Sequence, residues 1–145
     1  MFDEKKFNEI KEEVNILYKT LGKIYCPYFK EEISFNHKGL EHLEFKGNGV
    51  RRSVKDQYRR LKIFKFAPTI LGNSYTLQGK TRTKSFEYLK INSRWEYILK
   101  DVIYYDFIAI LEEFPIRVTV KQVENLNKYF WSIIPYNRIY KDDET

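Results

Sequence analysis

The stretch Phe114-Pro115-Ile116-Arg117-Val118-Thr119-Val120-Lys121 reveals most about the architecture. Apolar and polar side chains alternate strictly from Ile116 to Lys121. That period belongs to a β-strand with one face on a core. Ile116, Val118 and Val120 form the expected core row. Arg117, Thr119 and Lys121 form the expected row on the open face. Just upstream, Glu112-Glu113-Phe114-Pro115 reads as the turn of a hairpin joining two long strands. Downstream, Glu124-Asn125-Leu126-Asn127 reads as the next turn.

The strand-like pattern begins at Tyr75. Tyr, Ile, Val and Thr are common from there on, and they suit a pleated, half-buried surface. Strands are predicted near residues 75–78, 85–90, 94–100, 102–112, 115–123 and 128–134.

The first half has a different periodicity. Phe7, Ile10, Val14, Leu17 and Leu21 follow helical spacing, with Asp3 as N-cap and Gly22 as stop, so a helix is expected over 3–21. Residues 24–35 lose that spacing. Pro27 and the alternation of Ile33 with Phe35 point to extended chain and a short edge strand. Asn36 is placed to cap a short helix reaching Phe45, and Gly47-Asn48-Gly49 is a loop. Ser53, with Asp56 three residues on, opens a further helix carrying Val54, Tyr58, Leu61 and Phe64. That helix should end or kink before Pro68, with one more turn through Ile70 and Leu71 to Gly72.

Helices first and strands afterwards predict an α+β domain, with N-terminal helices packed on one face of a four- to six-stranded antiparallel sheet. No linker or repeat divides the chain. A single domain over 1–145 is expected, with a helical part over about 1–73, a sheet part over about 74–136 and a polar tail at 141–145.

Composition narrows the function. The 145 residues hold 26 Lys plus Arg against 20 Asp plus Glu, a formal charge of +6. Such a domain attracts polyanions. The single Cys26 excludes an internal disulfide framework, and in its apolar surroundings it reads as a small buried hydrophobe. There is no apolar run long enough to span a bilayer, and Phe2-Asp3-Glu4-Lys5-Lys6 is not a signal peptide. A cytoplasmic protein with no membrane partner is expected. No Gly-rich phosphate loop, nucleophile elbow or zinc-protease motif is present.

Several side chains have chemistry to offer. Both histidines, His37 and His42, lie in Phe35-Asn36-His37-Lys38-Gly39-Leu40-Glu41-His42-Leu43. A histidine gives or takes a proton near neutral pH. The pair alone does not make a zinc site, since no further ligands stand out, and no metal or cofactor is expected. The run Arg51-Arg52, Lys55, Arg59-Arg60, Lys62 and Lys65 is spaced as a polyanion-binding stripe with only Asp56 nearby. In Tyr129-Phe130-Trp131-Ser132-Ile133 a lone hydroxyl sits among apolar residues. It would bind either a phosphate oxygen or a backbone carbonyl. Tyr129 and Trp131 would either stack on a base or fill the core.

Two segments together resemble a known family. The first is Phe35–Leu43 with Arg51-Arg52 and the helix Gln57-Tyr58-Arg59-Arg60-Leu61. The second is Ile116–Lys121 leading into Lys128-Tyr129-Phe130-Trp131-Ser132-Ile133-Ile134-Pro135. Over roughly residues 33–135 this arrangement resembles phage-associated nucleases of the barnase–EndoU–colicin–RelE class (the BECR fold). The resemblance implies helices on an antiparallel sheet and metal-independent RNA cleavage by attack of the 2′-hydroxyl. It implies His42, Lys121 and Ser132 as catalytic residues, with His42 moving the proton. Arg51, Arg52, Arg59, Arg117, Thr119 and Tyr129 would bind the substrate. The implied partners are RNA (tRNA or mRNA) and a cognate inhibitor protein, in a toxin or phage-conflict effector. The other reading is a non-catalytic module that binds nucleic acid or protein through its basic surface.

Overall fold

The computed structural model describes residues 3–136. The chain begins with helix α1 (Glu4–Leu21), whose Asp3 carboxylate accepts from the Lys6 amide as N-cap. Strands β1 (Lys23–Cys26) and β2 (Glu31–Ser34) follow as a hairpin, then α2 (His37–Glu44) and α3 (Val54–Ile63). A 3-10 turn at Phe64–Phe66 leads into α4 (Ala67–Gly72), so the helical path is interrupted just before Pro68. The rest is strand: β3 (Gly79–Ile91), β4 (Arg94–Leu111), β5 (Phe114–Val123) and β6 (Tyr129–Pro135).

The fold is α+β, as the order of periodicities implied. Its six strands run β1-β2-β6-β5-β4-β3. The sheet is mixed rather than purely antiparallel, because β2 meets β6 in parallel at Ser34 and Tyr129. The β1–β2 hairpin therefore belongs to the sheet, although it lies within the helical half of the sequence. Residues 75–78 form a loop rather than a strand. The two strands predicted over 94–100 and 102–112 are one continuous β4. The tail at 141–145 lies outside the described residues.

The core forms on the face the alternation predicted. Ile116, Val118 and Val120 are buried with Phe107, Phe130 and Ile133 from neighbouring strands. Phe7, Val14 and Tyr18 of α1, Leu61 of α3 and Leu71 of α4 close over them. Cys26 is fully buried there, and burial pushes its thiol pKa up. Gly39 allows α2 to approach β6 closely. A Cβ at this position would run into the Phe130 carbonyl oxygen and the Tyr18 hydroxyl.

Strands β3 and β4 pair along their whole length, from Gly79 opposite Asp106 to Ile91 opposite Arg94. The β4–β5 ladder begins only at Val102, so residues 84–100 make a two-stranded arm beyond the rest of the sheet. Asn92 and Ser93 at its tip both have positive φ, the geometry of a tight hairpin turn that follows strand twist. The arm bends over the second face of the sheet. Glu87 reaches Lys121 on β5, and Leu89 packs on a small cluster of Val102, Val123 and Tyr129. No described helix is long and apolar enough to cross a membrane.

Candidate functional site

The proposed catalytic side chains converge, but in the interior. His42 lies on α2, in the last turn before Phe45. Its ring stacks on Trp131 of β6, with centroids 3.8 Å apart and planes at 19°. Lys121 Nζ lies 4.2 Å from the centroid of the same indole. Ser132, the next residue along β6, accepts from Arg60 Nη1 at 2.9 Å. Trp131 sits where the β5–β6 register shifts between Thr119 and Val120. The bulge gives β6 one extra residue there, and the indole packs against both the His42 ring of α2 and the cluster of Val102, Val123 and Tyr129 on the second face.

His42, Lys121 and Ser132 each meet a polar partner. Arg52 Nε donates to the His42 carbonyl oxygen at 2.9 Å, and Arg52 Nη2 lies 3.0 Å from His42 Nε2. A guanidinium can only donate, so Nε2 is the acceptor and the imidazole proton sits on Nδ1. Gln57 Nε2 donates to the Arg52 carbonyl oxygen. Asp56 faces three arginines: Oδ2 pairs with Arg52 Nη1 at 3.3 Å, and Oδ1 with Arg59 Nη2 at 2.6 Å and Arg60 Nε at 3.2 Å. Lys121 donates to Glu87 at 3.0 Å, and the Thr119 hydroxyl donates to Asp106 at 2.7 Å.

Burial and charge set the protonation states. His42 is only 3% exposed, and its pKa falls to about 2. Desolvation is the largest cause, and the charges of Arg52, Arg60 and Lys121 act in the same direction. Burial alone would raise the Asp56 carboxyl, but Arg60, Arg59 and Arg52 outweigh it and hold the pKa below the ordinary value. Burial lowers the Lys121 ammonium, and Glu87 opposes that shift. Burial raises the Tyr129 phenol.

These facts correct the sequence-based site. An imidazole held neutral, with its lone pair engaged by Arg52, is too weak a base for a 2′-hydroxyl and carries no acid proton at pH 7. Arg117, Thr119 and Lys121 do not lie on an open face. All three are buried: Glu87 of the arm pairs with Lys121, Asp106 of β4 accepts from the Thr119 hydroxyl, and the Tyr136 ring lies against the Arg117 guanidinium. The basic stripe is broken as well: Arg52 and Arg60 are interior residues, and Arg59 is tied to Asp56. Arg51 remains exposed but pairs with Glu44 at 2.8 Å and lies over Phe45. Tyr129 is core rather than a stacking surface. His37 is exposed and pairs with Glu41 at 2.8 Å, away from the cluster. A groove of about 290 Å³ among Lys11, Leu40, Glu44 and Gln57 includes none of His42, Lys121 and Ser132. A second, of about 260 Å³, lies between Asn36, Lys38, Lys128 and Tyr129 and also includes none of them.

The exposed chemistry lies elsewhere, on residues the sequence reading passed over. Lys80, Arg82 and Lys84 alternate along one side of β3 and are all exposed. The same side continues with Phe86, Tyr88 and Lys90 on β3, opposite Leu99, Tyr97 and Trp95 on β4. Tyr88 lies 4.8 Å from Tyr97 and 5.3 Å from Trp95, centroid to centroid. Lys80 Nζ sits over the Tyr105 ring. Among the described residues, only Lys84 in the row Lys80, Arg82 and Lys84 pairs with a carboxylate, that of Asp101 at 2.9 Å. The period-two signal was present in the sequence as cations followed by aromatics. It merges with the ordinary pattern of a half-buried strand until the arm is seen to leave the sheet.

No protein-family model matches the chain, and neither a curated protein nor a solved structure matches it.

Proposed function

We propose that this protein is a non-catalytic nucleic-acid-binding domain whose contact surface is the outward side of the β3–β4 strand pair. One observation carries the reading: Lys80, Arg82 and Lys84 stand exposed in a single line, and among the described residues only Lys84 is matched by a carboxylate. Side chains on one face of a strand repeat at about 6.8 Å, so the row can follow a phosphate backbone. The interior cations serve a different purpose. Asp56, Glu87 and the His42 lone pair hold them in place: Arg52 ties α2 to α3, Arg60 joins α3 to Ser132 of β6, and Lys121 joins β5 to β3.

Electrostatic binding of this kind weakens as salt rises, roughly in proportion to the number of phosphates neutralised. Titration of RNA at several salt concentrations should give a negative slope of log affinity against log salt. The combined variant Lys80→Glu, Arg82→Glu and Lys84→Glu should weaken binding sharply and flatten that slope. Unchanged binding by the variant would place the contact elsewhere.

The metal-independent ribonuclease is the second reading, favoured by the meeting of His42, Lys121 and Ser132 around Trp131. It requires the helical layer to open so that His42 loses Arg52 and regains an ordinary pKa. Incubation with total RNA in EDTA tests it. Cleavage that disappears in His42→Ala, with the fold intact, would put the nuclease first.

A further inference from the structure

We infer that the aromatic ladder on the outward side of the arm is a stacking platform for the unpaired bases of single-stranded nucleic acid. The proposal rests on the nucleic-acid reading above and specifies the form of the ligand. The juxtaposition is Phe86, Tyr88 and Lys90 on β3 directly opposite Leu99, Tyr97 and Trp95 on β4, continuing the line of Lys80, Arg82 and Lys84.

The exposure is unusual. Phe86 is 67% exposed, Tyr97 72% and Trp95 56%. The arm's other side accounts for its position, since Glu87 and Leu89 anchor it to β5 and the small cluster beneath. The outward aromatics therefore do nothing for the core. They stiffen one another, cross-strand, into a row of flat rings.

Charge selects the occupant. Among the described residues β3 is one of the two edges of the sheet, so a second copy of the chain is one geometric alternative. Edge-to-edge pairing of two β3 strands would bring Lys80, Arg82, Lys84 and Lys90 of each copy against the other. The only acid on β3 is Glu87, which is turned inward to Lys121 and cannot answer them. A polyanion suits the cationic line, and planar bases suit the rings next to it. A duplex would offer phosphates but keep its bases stacked on each other, leaving the rings unused. A single strand can use both, with phosphates along Lys80, Arg82 and Lys84 and bases on Tyr88, Tyr97 and Trp95.

The test is fluorescence anisotropy with labelled oligouridine and oligothymidine of about 15 nucleotides, near the upper end of usual site sizes, beside a duplex of equal length. The single strands should bind at least about tenfold more tightly than the duplex, and Trp95 emission should be quenched on binding. Tyr97→Ala should weaken single-strand binding about tenfold, the usual effect of losing one stacked base. It should leave the salt slope unchanged, and Tyr97→Phe should restore affinity. Equal binding of single strand and duplex, with Tyr97→Ala silent, would overturn base stacking and leave the phosphate-binding reading standing. Failure of every nucleic acid to bind would remove both. A concentration-dependent dimer, seen by sedimentation and abolished by Tyr97→Ala, would assign the face to a second copy and overturn the proposal.

Discussion

Two regions of this molecule use nearly the same residues to opposite ends. The seam between α2, α3 and β6 holds Arg52, Arg60, Lys121, His42 and Trp131 inside the fold. The β3–β4 strand pair holds Lys80, Arg82, Lys84, Tyr88, Trp95 and Tyr97 outside it. In the seam, carboxylates, a hydroxyl and an imidazole lone pair meet the cations, as a dry site requires. On the β3–β4 pair the cations are exposed, and among the described residues Lys80 and Arg82 meet no carboxylate. Arginine, lysine and aromatic residues close together therefore do not identify a binding site. Whether local carboxylates have already met their charge is what separates the two regions.

The largest expected effect is at the centre of the seam. Asp56→Ala should cost about 3–5 kcal/mol, the usual result of stripping the counter-charge from buried cations. Urea denaturation measures this, and a loss below about 1 kcal/mol would mean that the seam is effectively solvated. Gly39→Ala comes next, at about 3 kcal/mol, because the methyl has no room between α2 and the β6 backbone.

Acid should loosen the seam in a defined window. Folded His42 has a pKa of about 2, against an ordinary 6.5. Between those values the unfolded chain binds the extra proton, so stability is complete above about pH 6.5 and falls as pH drops toward 2. The His42 contribution is about 1.4 kcal/mol per pH unit in that range. Denaturant midpoints of the protein and of His42→Gln, measured from pH 7 to pH 4.5, should show this slope only with the histidine. Parallel curves would mean that the imidazole is already open to water.

The smallest effect is expected on the arm. Tyr97→Ala or Trp95→Ala should change stability by no more than about 0.5 kcal/mol, although each removes a large aromatic ring. A loss comparable to that of Asp56→Ala would turn the ladder into a structural element and erase the contrast between the regions.

Much of the architecture was legible from side-chain periodicity. The helix over 3–21, the Asn36 and Ser53 caps and the core row Ile116, Val118 and Val120 are local features with local signals. The parallel pairing of Ser34 with Tyr129 was not legible, because it joins distant segments through one register position. The basic stripe was misread for a related reason. Helical spacing alone would have put Asp56 within reach of Arg59 and Arg60. The charge count along the segment instead suggested an unmatched surface.

Local sequence determined the order of helices and strands, their caps, and which face of β5 meets the core, since those follow from backbone preference and the periods of the two regular structures. Tertiary structure alone decided which charges are spent and which are available. That choice depends on desolvation and on carboxylates brought from far along the chain, as Glu87 is to Lys121. The same long-range folding turns the inner side of the arm toward β5 and leaves its outer side, with Tyr88 of β3 and Trp95 and Tyr97 of β4, exposed.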